Sequence, residues 1–338
     1  MKIAKLTLKK AGVFLAAALL YAAFATFLFW PDSRIDYVFI FSTTTAAIGT
    51  CLLSRRWIAD QIGAFFAGAL YGFGPFFISL VRFHWSVNIL AAMIPWLFLP
   101  SVFAPAPAGR KLLILKIALC FLPFLAIIIF FQLSSRFRLY AVPIDVMLRP
   151  IDLTSFIWPL AAAEDELNPV GLYHIAAPLF FIGLLVMLKA RRYKVMAVLL
   201  IGIILAFCPS FFQISPIIWF AIPSLGFAIL AGEGFGGLVL AGFVGRFWVL
   251  AAAFLSVLCS IIAFIFTAGF QGKIFSEDFK ALFAYSGRFH LLAALICVVI
   301  FFMAKDQLRL NIVRSLLISA ALCIDIFLCA GYLAGSLS

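Results

Sequence analysis

The chain has 338 residues, 66% hydrophobic and only 11% charged, with a net charge of +12 at pH 7. A soluble domain carries about half apolar and about 25% charged residues, so this composition excludes a water-soluble enzyme and implies an integral membrane protein. Its 25 Lys and Arg fall in small groups between apolar runs rather than on one solvated face, which excludes nucleic acid as a partner and reads as a topology signal.

The N-terminus, "MKIAKLTLKK", is followed by about 20 apolar residues to Trp30. Ala23-Phe24-Ala25 imitates a signal-peptidase site, but the apolar run continues past it, so an uncleaved first helix is expected. Further along, the hydropathy predicts an all-α, polytopic transmembrane helical bundle of about eleven spans, residues 1–338 forming a single membrane domain. The spans are 11–30, 37–53, 58–80, 87–104, 112–133, 171–188, 195–209, 216–240, 247–269, 289–304 and 315–336. With the N-terminus inside, 17 of the 25 basic residues fall on the cytoplasmic side and 8 on the other, which predicts N-in and C-out.

The first outer connection, "WPDSRID", holds Asp32 and Asp36 around Arg34. Asp36 has the better position for a general base, because it begins a helix whose free backbone N–H groups hold a carboxylate ionised. The alternative is a plain solvated flank. Arg82 and His84 close the third span in "VRFHWSVN", as a phosphate clamp with a proton relay or as an interface-seated pair beside Trp85.

The connection 134–170 is the longer of two long outer ones, and it is expected on the outer membrane surface with a short interfacial helix in "PIDVMLRPIDLTSFIW". Its Arg136, Arg138 and Arg149 suit lipid phosphate, whose oxygens match the planar guanidinium fork, or serve as interfacial anchors. Glu164, Asp165 and Glu166 offer donors for a divalent cation, but successive residues point in different directions. They read as a solvated loop tip, and no metal or other cofactor is expected.

The second long outer connection spans 270–288. Two acids lie inside spans, Glu233 in "AGEGFGGL" and Asp325 in "LCIDIFLC". Such residues are costly in lipid and by default mark function. The seven cysteines all lie in apolar runs without a C-x-x-C or Cys/His pattern, so they read as packing residues.

One long stretch carries a resemblance. "LLSRRWIADQIGAFFAGALYGFGPFFISLVRFHWSVNILAAMIPWLFLP" (52–100) resembles a segment of the YfhO-type membrane proteins and other polytopic glycosyltransferases of the GT-C class. "DLTSFIWP" (152–159), "GLYHIAAPLFFIGLLVML" (171–188) and "IPSLGFAILAGEGFGGLVL" (222–240) fit the same pattern in the same order. The resemblance implies a protein of the plasma (bacterial inner) membrane that handles a polyprenyl-phosphate-linked sugar at the outer face. A carboxylate of the first outer loop would be the general base. Here that loop is only "PDSRIDY", so Asp32 and Asp36 alone are left for the role, and the usual acceptor cradle is missing.

Three function classes follow. The first is a GT-C-like protein that binds or transfers a lipid-linked sugar. The second is a non-catalytic accessory subunit of a membrane complex. The third is a transporter or channel using Asp325 and Glu233, against which the lack of an inverted repeat counts.

Overall fold

The computed structural model describes residues 2–29, 37–58, 60–80, 85–103, 110–137, 146–164, 170–190, 193–208, 211–212, 214–241, 245–268, 277–303 and 308–335. Its helices are α1 (Lys2–Phe29), α2 (Tyr37–Ser54), α3 (Gln61–Gly72), α4 (Pro75–Ser79), α5 (Trp85–Phe103), α6 (Arg110–Cys120), α7 (Leu122–Phe137), α8 (Pro159–Glu164), α9 (Ala176–Lys189) and α10 (Tyr193–Phe207). There follow α11 (Pro216–Trp219), α12 (Ala221–Val239), α13 (Arg246–Thr267), α14 (Glu277–Phe302) and α15 (Leu308–Gly335), and a 3-10 helix (Pro150–Phe156) leads into α8. A chain this apolar has little choice. In lipid each backbone N–H and C=O must find its partner within the segment, and a helix supplies it.

Among the described residues, seven helical stretches are long and apolar enough to cross a membrane. An eighth is the α6–α7 pair, bent by 48°. Pro123 explains the bend, since it has no N–H and its ring crowds the preceding turn. Three shorter apolar helices lie within α5, α9 and α10. The chain is therefore a helical protein with the makings of a polytopic membrane bundle.

The layers differ sharply in burial. The apolar part of α1 is 17% buried and that of α13 33% buried, whereas the stretch Pro216–Val239 is 94% buried. So α12 is the central post. It packs against α9 on one side and α3 on another. Small residues make this possible. A Cβ on Gly183 would strike the Leu230 carbonyl, and one on Gly234 would strike the Leu179 carbonyl, so α9 and α12 meet backbone to backbone. Gly63 and Gly232 form the same reciprocal contact between α3 and α12. The glycines around Glu233 thus serve close packing.

The third span is broken. Pro75 has no N–H, so α3 stops at Gly72 and α4 restarts beyond Gly74. The break frees the Phe73 carbonyl, which accepts a 2.5 Å hydrogen bond from the buried Tyr173 hydroxyl. Irregular backbone at this depth persists only where protein groups satisfy it.

At the other end of the bundle, Arg314 of α15 is fully buried. Its Nη1 donates to the carbonyls of Val239 (2.9 Å) and Ala241 (3.0 Å), and its Nη2 to that of Met303. These carbonyls terminate α12 and α14, whose C-termini carry partial negative charge. Sequence alone counted Arg314 among the inner topology charges; it is in addition a clamp on three helices.

One span boundary needs correction. The tenth span was drawn as 289–304, with 270–288 as an outer loop. Instead α14 begins at Glu277 and runs 26 residues without interruption. Glu277, Asp278, Lys280 and Arg288 lower the hydropathy of its first half and disguise it as a loop, while Leu282, Phe283 and Ser286 are buried.

Candidate functional site

The sequence-predicted polar residues do not converge among the described residues. Asp32, Asp36, Arg82, His84 and Arg138 lie outside them, as do Asp165 and Glu166. Arg136 falls in the last turn of α7, and Glu164 ends α8. Arg149 is exposed and tied locally. Its guanidinium meets Asp152 at 3.3 Å, and its backbone N–H donates to the other Asp152 oxygen at 2.6 Å. Asp152 is fully buried, so the pair caps the 3-10 helix. Glu233 is half-buried on α12.

Asp325 is different. It lies in the middle of α15, fully buried, at the centre of a hydrogen-bonded cluster drawn from three elements. The first is the link into α9. Gly171 lets this link press against the 3-10 helix, because any Cβ there would meet the Ser155 carbonyl. Tyr173 is pinned to the break after α3. His174 is thereby turned inward and is fully buried. The second element is α14, which brings Ser286 and His290 one turn apart. The third is α15, which brings Asp325 and Cys329 one turn apart on one face.

The contacts form a chain. Ser286 Oγ lies 3.0 Å from His174 Nε2, and His174 Nδ1 lies 3.0 Å from Asp325 Oδ1. Cys329 donates its thiol to the same oxygen at 3.3 Å. Asp325 Oδ2 accepts the Ile175 backbone N–H at 2.6 Å, at the entrance of α9. With the carboxylate ionised it only accepts; Nδ1 then carries the imidazole proton and Nε2 accepts from the Ser286 hydroxyl. A second imidazole stands beside the first. The His290 ring centroid is 5.0 Å from that of His174, and its Nε2 lies 2.8 Å from the Ile157 carbonyl. Its Nδ1 is buried without a hydrogen-bond partner.

The Ser–His–Asp order is also that of nucleophilic hydrolases. Ser286 is fully buried here, however, and three cavities among the described residues, of about 260, 540 and 400 Å³, are lined by other side chains. A fully buried Oγ is not presented to an acyl substrate. What the arrangement can do is take up a small cation.

The chain matches no known protein-family model, no curated protein and no solved structure. Nothing in these comparisons identifies the family that the quoted stretches resemble.

Sequence reasoning found Asp325 and missed its partners. The pattern search looked for Cys and His close together in the chain, whereas His174 and Cys329 are 155 positions apart. One signal was available. The chain has only three histidines, and two of them sit inside apolar runs, where a polar side chain needs a partner.

Proposed function

We propose that the chain is a proton-exchanging membrane protein, and that its working centre is the buried His174–Asp325 pair. The observation that carries this reading is the fully buried Asp325 carboxylate in the middle of an apolar helix, bonded to an equally buried imidazole. With Asp325 ionised and His174 neutral, the cluster carries one negative charge away from water, which is expensive. One proton on Nε2 neutralises it. No hydrogen bond is lost in that step, because the Ser286 hydroxyl turns from donor to acceptor. The partnerless His290 Nδ1 is the adjacent acceptor. In this reading the protein takes the eleven-span, N-in and C-out topology, with α5, α9 and α10 as crossings, and sits in a plasma (bacterial inner) membrane. The basic asymmetry of the sequence supports that orientation.

The test is proton flux in reconstituted vesicles loaded with a pH-sensitive dye under an imposed potential. Wild-type protein is expected to carry protons, and Asp325→Asn and His174→Gln to reduce the flux at least tenfold. Wild-type flux equal to that of empty vesicles would sink the reading.

A second reading is the GT-C-like one, a protein that binds or transfers a polyprenyl-phosphate-linked sugar at the outer face. Supporting it, the resembling stretches adjoin in space: α3 meets α12 at Gly63 and Gly232, α9 meets α12 at Gly183 and Gly234, and Tyr173 bonds Phe73. Its base would be Asp36, and its phosphate clamp Arg82 with Arg136, Arg138 or Arg149. Under it, Asp36→Asn and Arg82→Ala abolish transfer from a polyprenyl-linked sugar while insertion persists. Absence of wild-type transfer and of proton flux alike would leave the accessory-subunit reading.

A further inference from the structure

We infer that His174 Nδ1, Asp325 Oδ1 and Cys329 Sγ form a binding site for one divalent transition-metal ion of the zinc class. The three residues are fully buried and their donor atoms converge. The separations are 3.0 Å for Nδ1 to Oδ1, 3.3 Å for Sγ to Oδ1 and 3.8 Å for Sγ to Nδ1. A tetrahedral ion with bonds of about 2.0–2.1 Å to nitrogen and oxygen and about 2.3 Å to sulfur needs donor separations of roughly 3.3–3.6 Å. Shifts of a few tenths of an ångström bring all three donors onto one face of that tetrahedron. The fourth position is left for water or an exchangeable ligand.

The surroundings suit a metal as well as the donors do. Ligating histidines donate their other N–H to a fixed acceptor, and ligating carboxylates are themselves hydrogen-bonded. Ser286 Oγ stands at His174 Nε2, and the Ile175 N–H holds the free oxygen of Asp325. The charges also close. A doubly positive ion, one carboxylate, one thiolate and a neutral imidazole sum to zero, which is the form least costly in an apolar interior. The donor set, one sulfur, one nitrogen and one oxygen, favours zinc, cobalt or cadmium over magnesium or calcium, which take oxygen.

Binding balances as an exchange. The Cys329 S–H bond breaks, the metal–sulfur bond forms, and one proton leaves. The imidazole proton moves from Nδ1 to Nε2, where Ser286 now accepts it. No electron changes hands. This inference goes beyond the proton-exchange reading and stands on the donor geometry, so the two are tested separately.

The experiment uses full-length protein in detergent, stripped with a chelator and titrated with Co²⁺. Expected are one ion per chain, a thiolate-to-cobalt charge-transfer band with intense tetrahedral visible bands, and release of one proton per ion. Cys329→Ser should abolish the charge-transfer band and weaken binding at least tenfold. Ser286→Ala should weaken it about 10–100-fold. Cys323→Ser, an exposed thiol on the same helix, should change nothing. No stoichiometric cobalt, or the same band in Cys329→Ser, would overturn the site. Vesicle proton flux in metal-free buffer separates the two proposals. Flux without cobalt binding removes the metal and keeps the proton reading; cobalt binding without flux removes the proton reading.

Discussion

Two buried charges sit eleven residues apart on α15, and the protein answers them in opposite ways. Arg314 is met by carbonyls at the ends of α12 and α14. Asp325 is met by an imidazole, a thiol and one backbone N–H. Backbone carbonyls neither titrate nor leave, and a guanidinium stays charged throughout the accessible pH range. Imidazole and thiol exchange protons and ligate metals. The first turns of α15 are therefore held by groups that neither titrate nor leave, and its middle by groups able to do both. At the same depth of burial, the identity of the partners separates a structural charge from a functional one.

The comparison breaks most visibly at Arg314. Arg314→Met should cost about 3–5 kcal/mol, the scale for removing one member of a buried charged arrangement, because three helix-terminal carbonyls lose their donor. A large fall in thermal stability in detergent is the expected result. Arg314→Lys should recover only part of it, since one ammonium cannot reproduce a planar fork. Thermal stability of Arg314→Met within the error of wild type would show that the clamp does not bind the three helices together.

Tyr173→Phe comes next. It strands the Phe73 carbonyl inside the bundle, and a buried unsatisfied acceptor costs about 1–3 kcal/mol. The same denaturation measurement should show this loss. Proton flux and cobalt affinity should also fall, since Tyr173 fixes the link that carries His174. A variant that loses stability and keeps flux and affinity would uncouple the break from the cluster.

Asp325→Asn sharpens the contrast from the other side. Asn keeps the shape and an acceptor for the Ile175 N–H, so its stability loss should be smaller than that of Arg314→Met while proton flux disappears. The reverse ranking would reassign Asp325 as scaffold. The smallest effect is expected at the surface. Arg149 is 55% exposed at its side chain, and exposed ion pairs contribute about 0–1 kcal/mol, so Arg149→Ala should barely move the melting temperature. Loss of lipid-phosphate binding in that variant would instead favour the sugar-donor reading.

The helical membrane class was legible because it depends on hydropathy summed over some 20 residues, a signal that survives local noise. Each of the eleven predicted stretches overlaps a helix among the described residues. The start of α14 was not legible, because four charged residues in its sequence, Glu277, Asp278, Lys280 and Arg288, hide the buried Leu282, Phe283 and Ser286. Asp325 stood out as a lone carboxylate in an apolar run. Ser286 and Cys329 did not, since each is ordinary among its neighbours in the chain, and His174 carried only the signal of a histidine in an apolar run; the three acquire meaning only where the link into α9 meets α14 and α15. The break at Gly72–Pro75 falls inside the single stretch expected over 58–80, and its hydrogen bond to Tyr173 joins residues 100 positions apart. Pairings at that range depend on the fold.

The length of α9 has a consequence of its own. Its 14 residues rise about 21 Å, some 9 Å short of a typical hydrocarbon layer. Lys189 is exposed at its far end, whereas its amino end at Ile175 and Ala176 is buried in the protein. The aligned peptide units project positive potential from that buried tip. An anion placed at this spot is drawn by a fixed field, and the Asp325 oxygen on the Ile175 N–H occupies it. A helix that starts inside the protein is what makes a carboxylate tenable there.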